Sequence, residues 1–431
     1  MKMDISRIEV GGFRNILSNA LDLESITALL ATNSYGKSNL MDAIDYGFKF
    51  IKADTKGKRR LMMSSENSPL NSEGQLVEYT FSINCNLQTR NVEYCVKYGF
   101  VFSWGDDDRR GSIVSEKLEI KQNKKGKKYS LYVSRDGGKA RYKTSESGRC
   151  DKSIRIEENA LVLNKLSAFD ELFYIDIIRS LNNVEFFKVE FFDAAPSYRP
   201  NPIIYRDFDD LDLVVIQSIP KVFTILQKEY PEKYDLLINA YQHLFPNFES
   251  IVAQEVKYDV FHETGCELDP DSPIQFSDLV HVMSVYDNNL TKPISFEALS
   301  DGAKRVLLTL TYAVLADIKG LSLLAIEEPE NCIHPKLLQD YVNILSQLVE
   351  NCKIILSSHS PYLVQYINPK GIYVGMPNSK GHALFRPIKA SKISVLTRAA
   401  SEDDESVGTY LFNLLSQDDD DNITLQSYFG G

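Results

Sequence analysis

Apolar and polar positions alternate with different periods along the chain, and each period predicts an element. Ile5–Val10 alternates in strand fashion, GGFRN (Gly11–Asn15) reads as a turn, and the continuous apolar run ITALL (Ile26–Leu30) reads as a buried strand. From about Lys37 to Phe50 the period becomes helical, with Leu40, Ile44 and Phe48 spaced to pack onto a sheet. Between Gln75 and about Val133 the alternation returns in VEYTFSINCNL, VEYCVKYGFVFSW and KLEIKQ, which predicts an antiparallel meander. The stretch from about Glu157 to Phe248 is helical in period, a strand-rich stretch follows it, and α/β order resumes near Pro293. Two further apolar runs, LSLLAI (Leu321–Ile326) and KIIL (Lys353–Leu356), predict buried strands.

Three of these buried strands run directly into polar clusters: ATNSYGKSN (Ala31–Asn39), EEPE (Glu327–Glu330) and SSHSP (Ser357–Pro361). Ligands of open parallel α/β sheets sit just past the carboxyl ends of the strands, so the three clusters are expected at one site in an α/β fold. ATNSYGKS fits the phosphate-loop pattern GxxxxGK[ST] at its last three positions, with Ala31 where the first glycine usually stands. The segment Asn33 to Asn39 would cradle phosphate oxygens through Gly36 and the helix N-terminus. Lys37 would place a point charge on the β and γ phosphates, and the Ser38 hydroxyl would ligate Mg²⁺. A chance GKS in a turn is the bland alternative, and the strand before and helix after weigh against it.

Adjacent carboxylates at the end of a buried strand are costly to desolvate unless a cation or a protonated partner is present. Glu327 is therefore expected on the Mg²⁺ side, through water, and Glu328 as the group that polarises an attacking water. ATP hydrolysis is the reaction this predicts. LSDGAKR (Leu299–Arg305) precedes the apolar helical run VLLTLTYAVLADI, so Ser300 or Asp301 can cap that helix and Gly302 lets backbone approach a ligand.

Composition narrows the setting. At 431 residues the chain exceeds the usual size of a single core, and 43 % hydrophobic with 25 % charged content is ordinary for a globular protein. No apolar run approaches the roughly 20 residues that span a bilayer and the N-terminus has no signal-peptide core, so a cytoplasmic location without membrane contact is expected. Six scattered cysteines without a CxxC pair fit reduced thiols. The net charge of −11 argues against a generally basic surface, yet Lys52–Arg60 and Lys121–Lys143 are locally basic, and the second interleaves Tyr129, Tyr132 and Tyr142. That second run can hold nucleic acid or simply be a solvated hairpin. Ser401–Ser406 and Asp418–Asp421 are acidic, and read either as a solvated tail or as a dock for a basic partner.

The ordered set of phosphate loop, LSDGAKR, LLAIEEPE, ENCIHP and SSHSP resembles the ABC-type ATPase heads of the SMC and OLD class. Within that class it is most similar to stand-alone bacterial phage-defence ATPases related to RloA, AbiL and the AriA subunit. The resemblance covers roughly residues 1 to 100 and 290 to 370. It implies that Ser300 and Gly302 touch the γ-phosphate of ATP bound to a second subunit, that His359 is the switch histidine, and that Asn331–Pro335 crosses the dimer interface. It further implies nucleotide contact by the FRN turn at Arg14, and a Mg²⁺- and water-sensing role for Gln75.

The expected organisation is an N-terminal part of the head at residues 1–104, a β-rich and helical insertion at 105–290, a C-terminal part of the head at 291–390 and an acidic segment at 391–431. ATP sandwiched between two heads makes at least a dimer, and the resemblance implies a switch in anti-phage defence that controls a separately encoded effector, a nuclease being one candidate. A DNA-clamping ATPase of repair or chromosome maintenance is the alternative, and a long heptad coiled coil, absent from the sequence, would favour it.

Overall fold

A computed structural model describes residues 2–32, 34–69, 77–89, 92–106, 108–189, 195–205, 211, 218–257, 272, 274–331, 333–349, 352–376, 381–416, 425 and 427–429. Asn33, Gln75, Cys332 and the acidic run Asp418–Asp421 lie outside the described residues.

The chain opens with β1 (Lys2–Phe13), β2 (Ile16–Asp22), β3 (Ile26–Leu30), α1 (Lys37–Lys52) and α2 (Thr55–Met62). Arg14 takes the left-handed conformation, φ 46°, which lets the chain reverse between Phe13 and Ile16. The alternating stretch forms β4 (Tyr79–Thr89), β5 (Val92–Ser103), β6 (Ser112–Gln122) and the start of β7 (Ser130–Asp136), and β8 (Lys139–Lys143) and β9 (Cys150–Ile154) follow beyond it. These strands join β1 and β2 in an eight-stranded sheet of order β2-β1-β4-β5-β6-β7-β8-β9, antiparallel throughout. The boundary expected at residue 104 therefore falls inside one sheet, because β6 continues the hydrogen-bonded ladder of β5.

Next come α3 (Val162–Leu166), α4 (Ile175–Asn182) and β10 (Phe186–Val189), then β11 (Ile203–Tyr205), α5 (Ile219–Glu229), α6 (Pro231–Leu244), β12 (Phe248–Lys257), β13 (Ile274–Phe276), β14 (Leu279–Asp287) and β15 (Ile294–Ser295). The last part holds α7 (Asp301–Lys319), β16 (Leu323–Glu327), α8 (Leu338–Leu348), β17 (Lys353–Ser358), α9 (Pro361–Val364), β18 (Ile372–Met376), β19 (Leu384–Pro387), α10 (Ile393–Glu402) and α11 (Val407–Ser416). The stretch expected to be helical thus contains the short strands β10 and β11. Four and three residues are too few to establish a period-2 pattern beside longer helical runs.

The chain divides into two compact units, one of residues 1–188, 320–327 and 351–431, the other of 189–319 and 328–350. The first unit holds the eight-stranded sheet and a second sheet of order β10-β16-β17-β3-β18-β19. β16, β17, β3 and β18 run parallel and β19 closes the edge antiparallel. The helix α1 buries more than the single face its sequence suggested. Phe48 meets Phe81 at 5.2 Å between ring centres and Phe50 stacks on Phe100 at 4.9 Å, on the antiparallel sheet. The same core continues to Leu323, Ala325 and Ile355 of the parallel sheet. Gly47 is required by this close approach, since a Cβ there would stand 2.1 Å from the Phe81 ring.

The acidic stretch Ser401–Ser406 is folded rather than a loose tail. It ends α10, turns through Asp404 at φ 55°, and Ser406 Oγ accepts the amide of Thr409 at 3.1 Å to start α11. Gly408 on α11 sits directly on α9, where a Cβ would be 2.1 Å from the Pro361 carbonyl.

In the second unit α6 packs with α7 and α8, and β12 pairs antiparallel with β14. Lys233 on α6 pairs with Asp317 on α7 at 2.6 Å. Among the described residues no helix is long and apolar enough to cross a membrane.

Candidate functional site

Strand register fixes the first part of the site. Leu30 lies opposite Ser358 on one side and Val374 on the other, while Glu327 lies opposite Ser357. The strands are parallel, so the phosphate loop, Glu327 and the Ser357–His359 segment emerge at the same edge of the sheet. This is the carboxyl edge where such sheets bind ligands.

Among the described residues of the loop between β3 and α1, two positions are left-handed, Ser34 at φ 61° and Gly36 at φ 112°. Ala31 is not one of them, so alanine in place of glycine there carries no backbone strain. Gly36 caps α1 without any side-chain hydrogen bond, and the first turn carries no acidic residue, which leaves the helix N-terminus suited to an anion. A side chain at position 36 would stand 2.8 Å from Ala383 Cβ and 3.0 Å from Asn15 Nδ2. Lys37 is buried and its Nζ donates to the carbonyls of Ala31 at 2.8 Å and Thr32 at 3.2 Å, which curls the loop around the ammonium. Ser38 is exposed on the first turn. The bulky Tyr35 packs on the β18–β19 side: its ring meets Phe385 at 6.1 Å, its hydroxyl donates to the His382 carbonyl at 3.3 Å, and burial raises its pKa.

Behind the loop lies a charged network. Arg14 Nη1 donates to Asn39 Oδ1 at 2.9 Å and to Asp42 at 2.6 Å, and Asn39 Nδ2 donates to Asn15 Oδ1 at 2.8 Å. The FRN turn thus holds the first two turns of α1. Lys188 on β10 pairs with Asp42 and reaches Glu327 Oε1 at 3.9 Å, with only 11 % of its side chain exposed. Neither Lys188 nor Asp42 was expected at the site. The signal was present in both: Asp42 stands one turn after Ser38, and a single lysine interrupts the apolar run FFKV. His359 follows Ser358 at the sheet edge, half-buried, in a turn where Ser358 Oγ accepts the amide of Ser360 at 3.0 Å.

Ser300, Gly302 and Glu328 belong to the second unit. Ser300 is exposed and caps α7, its Oγ accepting the Ala303 amide at 3.3 Å. Two buried tyrosines hold the start of that helix: Tyr241 donates to the Ala303 carbonyl at 3.2 Å and Tyr198 to the Lys304 carbonyl at 2.6 Å. Burial raises the pKa of both phenols, so they stay donors. Glu328 is left-handed at φ 46°, a conformation uncommon for residues other than glycine, and its Oε2 accepts from Asn331 Nδ2 at 2.7 Å. His334 Nδ1 accepts the Lys336 amide at 3.3 Å, a capping role.

Residues 27–365 match the family model described as "AAA domain, putative AbiEii toxin, Type IV TA system". The chain belongs to this AAA-domain family. Its fold is also that of SMC head domains. The SmcHead solved with the C-winged helix domain of ScpA aligns at TM-score 0.50 and 13 % identity, over 91 % of this chain and 99 % of that one. Two other SMC heads align with lower scores. The head from Thermotoga maritima gives 0.41 at 10 % identity over 90 % and 100 % of the two chains. The head with an extended coiled coil bound to the ScpA C-terminal domain, from Pyrococcus furiosus, gives 0.47 at 10 % identity over 93 % and 100 %. No curated protein matches the chain by sequence.

For this AAA-domain chain the donor set suits a hard divalent cation, with a hydroxyl at Ser38 and a carboxylate at Glu327. The ammonium of Lys188 stands 3.9 Å from Glu327 Oε1, so a cation bound there would share that carboxylate with it. When bound, Mg²⁺ would neutralise phosphate charge there. Among the described residues no group of three His, Cys, Asp or Glu could hold a metal ion.

The tyrosine-bearing basic run spans the end of β6, a turn, β7 and β8, in the first unit. Tyr129 lies between Lys97 and Lys121, whose Nζ atoms are 4.6 and 4.8 Å from its ring centre.

Proposed function

We propose that the chain binds and hydrolyses ATP with Mg²⁺, and that ATP sandwiched between two copies makes it a switch controlling a separate effector in anti-phage defence. The observation that carries this reading is the shared sheet edge at which the phosphate loop, Glu327 and His359 emerge. Lys37, Gly36, Ser38, Asn33 and Asn39 would hold the triphosphate, Arg14 would support them through Asn39, and Ser38, Glu327 and Gln75 would serve the cation. Glu328 would polarise the attacking water and His359 would contact the γ-phosphate. The exposure of Ser300, with Gly302 partly exposed beside it at the start of α7, suits contact with nucleotide on a second copy. An SMC head of the same fold is solved with a ScpA domain bound, which suits a head that docks a separate protein.

ATP turnover by the purified chain and two variants tests this. Lys37→Ala is expected to lose nucleotide affinity, whereas Glu328→Gln retains ATP and stalls hydrolysis, because it keeps shape and removes the base. Normal turnover by Glu328→Gln would sink the assignment.

A further inference from the structure

The first unit holds a second cleft, on residues that the ATP reading leaves unused. It encloses about 480 Å³, within the about 300–1,000 Å³ span of small-ligand sites, beside the basic run. Four lysines line it, Lys121, Lys127, Lys128 and Lys143, against two carboxylates, Glu146 and Asp176. The local balance is positive in a chain of net charge −11.

Lys143 decides what the cleft can take. The residue is 4 % exposed, its Nζ donates to Ser130 Oγ at 3.2 Å and stands 4.8 Å from the centre of the Tyr132 ring. Among the described residues no carboxylate forms an ion pair with it. Lys58 and Arg135 in the same unit show another solution for a buried cation, backbone carbonyls, two for the lysine and four for the arginine. A buried ammonium supported by one hydroxyl and a ring is costly, and an anion entering the cleft would supply the missing charge.

The facing wall is aromatic. Tyr132 meets Tyr174 edge to face at 4.9 Å and Phe173 at 5.7 Å, and Phe173 is 38 % exposed. A large apolar ring left partly in water beside a cationic cleft is a stacking surface for a planar group. An anion and a flat ring within one small cavity describe a nucleotide. Duplex DNA hides its base faces and cannot use the ring.

We propose that this cleft binds a nucleotide unit with an unpaired base, its phosphate at Lys143 and its base against Phe173. The source is either single-stranded nucleic acid or a free mononucleotide. The proposal is independent of the ATP reading.

The test uses full-length protein carrying Lys37→Ala, so that the phosphate loop does not compete. Fluorescence anisotropy follows a labelled single strand of about 12 nucleotides and the matching duplex, and calorimetry follows adenosine 5′-monophosphate. The single strand is expected to bind, with the duplex at least about tenfold weaker. Phe173→Ser should cut binding about tenfold, the scale of removing one stacked ring. Lys127→Glu with Lys128→Glu, both exposed, should weaken binding and lower the salt slope by about 0.7 for each phosphate no longer neutralised. Lys143→Gln should do the same, and the surface variants keep the test valid if it does not fold. Binding of the mononucleotide alone, abolished in Phe173→Ser, also supports the site and names the free source. Binding of neither ligand, equal binding of duplex and single strand, or binding unchanged by Phe173→Ser and the paired charge reversal would overturn the proposal. ATP turnover by the Lys127→Glu, Lys128→Glu protein with Lys37 intact reports separately on the ATP reading.

Discussion

Ala31 and Gly375 face one another where the phosphate loop leaves β3: a Cβ on Gly375 would stand 2.8 Å from the Ala31 Cβ and 2.6 Å from Tyr35 Cδ1. The loop departs from the common pattern by an alanine at its first position, and the space for that methyl comes from a missing side chain on the adjacent strand β18. Gly375 is not left-handed, so its role is room rather than backbone freedom.

Gly375→Ala should therefore damage the loop through overpacking. The expected cost is about 1–3 kcal/mol of stability, with weaker nucleotide binding, because either Ala31 or Tyr35 must move. Adding Ala31→Gly should recover only part, since the Tyr35 ring remains in the way. Thermal melts and nucleotide titrations of the three proteins check this. A Gly375→Ala protein with unchanged melting and affinity would show that the loop does not depend on this close approach.

Much of the sheet edge was legible because its signals are local. ITALL, LLAI and KIIL are continuous apolar runs, and each became a strand of the parallel sheet. The meander read from alternation up to about Val133 became β4, β5, β6 and the start of β7, while β8 and β9 extend it beyond that bound, and its pairing with β1 was not legible, because that ladder joins residues far apart in the chain. Lys188 escaped for the same reason. Its meaning comes from Asp42 and Glu327, which only folding brings to it. Tyr198 and Tyr241 resemble ordinary core tyrosines in sequence, and their hydroxyl bonds to the start of α7 depend wholly on tertiary packing.

Lys188 occupies charge space that a divalent cation would share. Lys188→Met leaves Asp42 with Arg14 at 2.6 Å and removes the ammonium beside Glu327. Stability without Mg²⁺ should fall by about 1–3 kcal/mol, the scale of a partly buried charge left without its partner. The rise in melting temperature on adding Mg²⁺ should be larger in the variant than in the parent, since a ligand of the native state stabilises by mass action. Equal shifts in the two proteins would mean that Lys188 and the cation do not compete at Glu327.

Lys58 sits under the end of α1, its Nζ donating to the Ile51 carbonyl at 3.1 Å and to the Ala53 carbonyl. Burial pulls its pKa from 10.5 down to about 8, against the opposing pull of Glu116 and Asp54. Between those values the unfolded chain binds the proton and the folded chain does not. Stability must then rise with pH across that window, by an amount on the order of a few kcal/mol. Cys85, whose pKa burial raises to about 12, acts in the opposite sense above the ordinary thiol range. Denaturant unfolding of parent and Lys58→Met at several pH values separates the two, because only the lysine contribution differs. Parallel pH profiles for the two proteins would contradict the lowered lysine pKa.

Composite sites make a sharper demand than ATP hydrolysis alone. If Ser300 acts on nucleotide held by a second copy, Ser300→Arg abolishes its own contribution but leaves its phosphate loop intact, and Lys37→Ala does the reverse. In a mixed dimer one of the two interfaces then combines an intact phosphate loop with an intact Ser300. Each variant alone should be inactive, and an equimolar mixture should regain a fraction of parental turnover, up to about one quarter if subunits pair at random and each interface works independently. The measurement is ATP turnover across mixing ratios, with mixed dimers verified by differently tagged chains. Activity should peak near equal amounts, because the mixed species is most abundant there. Verified mixed dimers with no recovered turnover would place Ser300 outside the neighbour's site and leave each chain to complete its own.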